Sequence, residues 1–153
     1  TKAGAGQFVT GLDESAQMGR IARRRLLRAG VDTPRLTRSM AQAIPFQAGS
    51  FDTVVSTFPS EYIFHTRTLE EARRVLRTGG RLIVLPAVWP KNPFLKWVYR
   101  FTGESPAEDP CVMREKWSRP YYLAGFSCRV EIIDLNSATL LLIIAILDEE
   151  PNV

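Results

Sequence analysis

The stretch from Phe51 to Val88 restricts the possible folds of this chain more than any other. Phe51-Asp-Thr-Val-Val-Ser-Thr57 is β-branched and apolar, the composition of a buried strand. Thr68-Leu-Glu-Glu71 has the spacing of a capping box and predicts a helix running through Leu76, stopped at Thr78-Gly-Gly80. Residues 81–88 form a second apolar run of strand length. A strand, a helix stopped by glycines and another strand make a βαβ unit. Such units build parallel sheets through right-handed crossovers, with ligands expected at the C-terminal ends of the strands.

The flanking segments extend this α/β reading. Residues 7–12 read as a strand ending at Asp13. Beyond Ser15, the apolar positions Met18, Ile21, Ala22, Leu26 and Ala29 fall at helical spacing, with Gly30 as the stop. Either Asp13 or Ser15 is placed to cap that helix. A turn at Asp32-Thr-Pro34 leads to an extended piece over residues 35–40. The region 89–120 is rich in proline and aromatics. It predicts a helix from Pro93 with an apolar stripe of Phe94, Trp97, Val98 and Phe101, then a loop over 102–110 and a helix over 112–123 that Pro120 disturbs. Residues 128–134 and 138–147 are two further strands. The short link Leu135-Asn-Ser137 makes them an antiparallel hairpin.

Composition bounds the function. The chain has 153 residues, one domain's worth, with 45% hydrophobic and 24% charged residues, a globular balance. Its net charge of +4 is uneven: residues 1–38 carry 8 basic and 3 acidic side chains, residues 39–153 carry 12 and 13. So narrow a basic region gives no ground to expect nucleic acid as a partner. No apolar run reaches the roughly 18 residues of a membrane span. With 2 cysteines and 1 histidine, neither a disulfide framework nor a Cys- or His-based metal cluster is available, and no metal is expected. The first residues have no apolar core or cleavage site of a signal peptide, so the expected location is cytoplasmic.

Asp13 carries the most chemistry. It stands where a strand gives way to a helix, on the edge at which doubly wound sheets bind nucleosides. A carboxylate there either caps the helix or accepts hydrogen bonds from both ribose hydroxyls.

Four motifs occur in register: Val9-Thr-Gly-Leu-Asp13-Glu-Ser15; Ala43-Ile-Pro-Phe46 with Ser50-Phe-Asp-Thr-Val-Val55; Leu69-Glu-Glu-Ala-Arg-Arg-Val-Leu-Arg77 with Gly79-Gly-Arg-Leu-Ile-Val84; and Ala124-Gly-Phe126 before the closing hairpin. Together, over roughly residues 7–147, they resemble class I S-adenosylmethionine-dependent methyltransferases, especially the group that includes the quinone-biosynthesis C-methyltransferases. The resemblance implies a Rossmann-like sheet of order 3-2-1-4-5-7-6 with strand 7 antiparallel. It implies S-adenosyl-L-methionine as cofactor and a small-molecule methyl acceptor. The implied cofactor contacts are Asp13 at the ribose, Glu14 next to it in sequence, Met18, Met40 and Ala41 at the adenine, and Thr57 and Phe58 at the end of strand 4; Met18 and Phe58 equally fit a packing role in the core. Met40 stands where the family presents an acid to the adenine amino group.

Aligned this way, residues 7–12 are strand 2, and strand 1 with its glycine-rich loop has no counterpart; the chain reads as one lacking about 40 residues of the family's pattern. Strands 2 and 4 are then expected either to pair directly or to flank an open slot, and the cofactor to bind weakly or not at all. The whole chain, 1–153, reads as a single domain, with 89–124 as an insertion or lid on the substrate side.

No catalytic residue is assigned. His65 and Glu61 are each either a structural side chain or a base. Arg20, Arg24 and Arg28 form a stripe at i, i+4 and i+8, which is either a solvated face or a contact for phosphates or an acidic partner. Two other classes compete with methyl transfer. One is a degenerate or truncated nucleotide fold that binds a partner or nucleoside without catalysis. The other is a nicotinamide dehydrogenase, against which the antiparallel hairpin argues.

Overall fold

The computed structural model describes residues 8–57, 59, 61–91 and 110–148. Its contacts divide the chain into two compact units, Thr1–Pro45 and Phe46–Val153.

In the first unit, β1 (Gly11–Asp13) leads into α1 (Ala16–Arg28) and β2 (Leu36–Arg38). β1 and β2 run parallel in a two-stranded sheet, pairing Gly11 with Leu36, Leu12 with Thr37 and Asp13 with Arg38. β1 is shorter than the expected strand, and Phe8, Val9 and Thr10 precede it without regular structure. A Cβ on Gly11 would lie 2.9 Å from Cδ2 of Leu36, so a larger residue there would require that side chain to shift. Ser15, not Asp13, caps α1, its hydroxyl accepting from the Met18 N–H at 3.3 Å. The helix ends as expected before Gly30, with the Gly30 N–H donating to the Leu27 carbonyl and the Val31 N–H to that of Leu26.

The second unit is built on β3 (Phe51–Thr57), a 3-10 turn (Glu61–Phe64), α2 (Thr66–Val75), β4 (Leu76–Pro90), α3 (Pro110–Leu123), β5 (Ser127–Asp134) and β6 (Ala138–Ile146). The sheet order is β3-β4-β6-β5, with β3 and β4 parallel and β6 antiparallel to both of its neighbours. The hairpin closes where the Leu135 N–H donates to the Ala138 carbonyl at 2.8 Å.

The core lies on one face of this sheet. Leu69, Ala72 and Val75 form the buried stripe of α2. Leu76, Leu82 and Val84 of β4, Val130 of β5, Leu141, Ile143 and Ala145 of β6, and Ile63, Tyr121 and Phe126 complete the buried hydrophobic set. Phe64 meets both Trp117 and Tyr121 edge to face, at 5.6 and 6.3 Å between centroids, which ties the 3-10 turn to α3.

Two expectations are corrected here, and one alternative is excluded. The capping box is not formed: Thr68 is buried inside α2 with its hydroxyl unpartnered, and Glu71 pairs with Arg74 instead. The cap is His65, whose Nδ1 accepts from the Arg67 N–H at 3.2 Å. The glycines do not stop the helix in open coil. β4 already begins at Leu76, and Gly79 and Gly80 sit within it where the ladder with β3 shifts register. Of the two arrangements expected for strands 2 and 4, direct pairing is not formed: β1 and β3 do not pair, and β1 belongs to a sheet separate from the four-stranded one.

The described strands give 3-2 in one sheet and 4-5-7-6 in the other, as the family order requires, and none takes the part of strand 1. The predicted helix from Pro93 and the loop after it lie outside the described residues, as does Phe58.

Candidate functional site

The parallel pairing of β1 with β2 brings two chain reversals side by side. After Asp13 the chain turns into α1, and after Arg38 it turns through Ser39 and Met40. One backbone and one side-chain hydrogen bond hold these ends together: the Ser39 N–H donates to the Asp13 carbonyl at 3.3 Å, and Arg38 Nε donates to the Glu14 carbonyl at 2.9 Å. The second turn is closed on itself, with the Ser39 hydroxyl donating to the Ala43 carbonyl at 2.6 Å and the Ala43 N–H to the Met40 carbonyl at 3.1 Å. Between the two turns lies an open hollow of about 630 Å³ lined by Glu14, Ser15, Arg38, Ser39 and Met40. It opens at the C-terminal ends of two parallel strands, where an α/β fold places its ligands.

Asp13 ends β1 with an exposed side chain. One carboxylate oxygen, Oδ1, accepts from the Ser15 N–H at 2.7 Å, which fixes the turn into α1. The other, Oδ2, has no partner among the described residues. The carboxylate thus holds the turn and keeps an acceptor facing solvent, although Asp13 itself is not part of the hollow's wall. Glu14 and Met40 are, and Met40 is 55% exposed, an apolar thioether held in water beside polar backbone. Ala41 follows in the turn, and its N–H makes no hydrogen bond among the described residues. Met18 lies one turn into α1 and is half exposed. Thr57 ends β3 in the second unit, with an exposed side chain.

Arg38, Ser39 and Ser15 are the lining residues that motif reasoning did not single out for the site. Ser15 was visible as a cap. The place of Arg38 follows from the Asp13–Arg38 register, which spacing alone does not fix.

The two candidate bases are also placed. Glu61 opens the 3-10 turn with an exposed side chain, and His65 is engaged as the cap of α2. Of the aromatic-rich region, Trp117 and Tyr121 pack into or against the core, while the exposed Tyr122 donates through its hydroxyl to the Cys128 carbonyl at 2.6 Å. These three therefore serve packing and the turn into β5.

The family described as a methyltransferase domain matches residues 1–84, more than half of the chain. The chain belongs to the methyltransferase domain family.

A curated relative of this methyltransferase domain, a ubiquinone/menaquinone biosynthesis C-methyltransferase of Hahella chejuensis, is 37% identical over 89 residues, covering 57% of this chain and 36% of the relative. The protein of the same name from Ralstonia pickettii is 38% identical over 111 residues, covering 67% and 44%. The chain therefore spans less than half the length of these curated relatives. Among solved structures, a SAM-dependent methyltransferase from Aquifex aeolicus matches with a TM-score of 0.63 over 94% of this chain and 71% of that one, at 17% identity. That likeness is one of fold, and it makes the architecture that of the Rossmann-like class I methyltransferases.

Among the described residues, no helix is long and apolar enough to cross a membrane.

Proposed function

We propose that this chain forms the nucleoside-binding part of an enzyme that transfers a methyl group from S-adenosyl-L-methionine to a small-molecule acceptor. The observation that carries the reading is the hollow beside Asp13, at the C-terminal ends of the parallel pair β1 and β2. The donor groups there suit an adenosine. Asp13 Oδ2 is a free anionic acceptor for the ribose hydroxyls, with Glu14 beside it. Met40 offers an apolar surface to the flat face of adenine, and the Ala41 N–H is free to donate to a ring nitrogen. Met18 flanks the same ring in this reading, and the family resemblance assigns the methyl-donor end to Thr57 and Phe58.

An acid at position 40 would accept from the adenine amino group. Met40 gives contact without that polar selection, so discrimination falls to Ala41 and to shape.

When bound, the cofactor supplies a sulfonium-activated methyl group. The protein's task is then to fix the nucleoside, align the acceptor and exclude water. Asp13 does the first through charge-assisted hydrogen bonds whose geometry the Ser15 N–H presets. A reactive acceptor needs no strong protein base, which agrees with His65 being spent on capping. The names of the quinone-biosynthesis relatives support a small, apolar or aromatic acceptor. The reading carries with it a cytoplasmic location.

Isothermal titration with S-adenosylhomocysteine tests the proposal. Saturable, weak binding is expected, reduced on the order of 10- to 100-fold by Asp13→Asn, the loss of a charged hydrogen-bond acceptor. No binding, or equal binding by the variant, would remove the nucleoside site from this hollow.

A further inference from the structure

Helix α1 carries five arginines, at 20, 23, 24, 25 and 28, and all five are exposed. The helix contains no acidic residue, and none of the five guanidinium groups forms an ion pair or hydrogen bond among the described residues. At 3.6 residues per turn, Arg20, Arg23, Arg24 and Arg28 fall within about 140° of arc and about 12 Å of axial length. Leu27 projects from the middle of that face and is 45% exposed. The opposite side, with Ala22 and Leu26, is the half-buried one. The charge is concentrated in the first unit: residues 1–45 hold 8 basic and 3 acidic side chains, whereas residues 46–153 hold 12 and 13.

Repulsion among clustered guanidinium groups disfavours the isolated helix, because like charges at i, i+4 destabilise it. An anionic surface would relieve that repulsion, and two anionic surfaces differ in what they offer Leu27. A nucleic acid presents phosphates to arginine and stacking faces to aromatic side chains, and α1 has no aromatic residue. A phospholipid surface presents phosphates to the guanidinium groups and, just below them, an acyl boundary to a central apolar side chain. A straight, convex face of one helix also fits a flat surface.

We propose that the outer face of α1 docks this protein on an anionic phospholipid bilayer, with Arg20, Arg23, Arg24 and Arg28 on the headgroup phosphates and Leu27 at the acyl boundary. This surface is independent of the cofactor hollow, and it adds peripheral association to a protein in which no described helix crosses a membrane.

Co-sedimentation of the full chain with vesicles tests it, using phosphatidylcholine alone or with about one-third phosphatidylglycerol. Binding is expected only to the anionic vesicles, and to fall steeply as salt rises toward about 0.5 M. At about one factor of five per basic residue near the surface, the triple variant Arg20→Gln, Arg24→Gln, Arg28→Gln should bind on the order of 100-fold more weakly. Lysine at the same three positions should keep most of the binding, which separates loss of charge from loss of fold. Leu27→Ala should weaken vesicle binding without changing retention on a single-stranded oligonucleotide. Equal binding to neutral vesicles, an unaffected triple glutamine variant, or tighter binding to the oligonucleotide than to anionic vesicles would each overturn the proposal.

Discussion

A capping side chain must bring an acceptor to a free N–H of the first helical turn, and at α2 His65 does this through Nδ1 while Thr68 lies buried a turn later. The two residues make opposite predictions under mutation. His65→Ala is expected to cost about 1 kcal/mol, the usual loss of a cap. Thr68→Val keeps the shape and removes a buried hydroxyl that has no partner, so it should be neutral or stabilising. Urea denaturation of both variants checks this, and a Thr68→Val cost equal to that of a lost cap would restore the capping box. The sequence pattern at this point was real but ambiguous: Thr68 and Glu71 have the right spacing, and the choice went to His65 because Leu69, Ala72 and Val75 turn Thr68 toward the core. At Asp13 the position at the turn from strand to helix was legible. Its division of labour, one oxygen on Ser15 and one left free, depends on a backbone turn that spacing does not specify.

At the level of elements, glycines separate into those that need their missing side chain and those that do not. A Cβ on Gly80 would lie 2.7 Å from the Arg77 carbonyl and 3.3 Å from that of Asp52, both backbone atoms that cannot move aside cheaply. Gly80→Ala should therefore destabilise by about 2 kcal/mol through overpacking. Gly19, inside α1, has nothing within 4 Å of the same position. Gly19→Ala should stabilise by up to about 1 kcal/mol, through helix propensity alone. Thermal melts of the two variants shifting in the same direction would contradict this account. The strands β3, β5 and β6 were readable to within one residue, because their apolar runs are bounded by turn signals on both sides. The start of β4 was not: Gly79 and Gly80 look like a stop, yet the Gly79 N–H donates to the Leu147 carbonyl and the Leu147 N–H to that of Gly80, which draws them into the sheet.

For the molecule as a whole, the buried Tyr121 hydroxyl and the half-buried Cys128 thiol make stability depend on pH in base. Burial pushes the Cys128 thiol from its ordinary 9.0 to about 11 and raises the Tyr121 hydroxyl as well. Both groups hold their protons more tightly folded than unfolded. Their contribution to stability is therefore intact below pH 9 and is lost as pH rises from there through about 11 for the thiol. Denaturation midpoints measured across that range should fall with pH in the wild type and fall less in Cys128→Ala. An equal fall in the wild type and in Cys128→Ala would mean that the thiol is solvated. The global strand order followed from the family resemblance, since no periodicity tells which strands are neighbours. The division into two sheets was beyond the sequence motifs, which carry no statement about what fills the place between strands 2 and 4.

β4 is paired in parallel with β3 along one edge and antiparallel with β6 along the other. It is thus a keystone between two kinds of ladder, and a fault in its middle, near Leu82 and Val84, loosens the crossover and the hairpin together. Among the described strands neither arm has a second anchorage in the sheet, so damage to this strand has no local form.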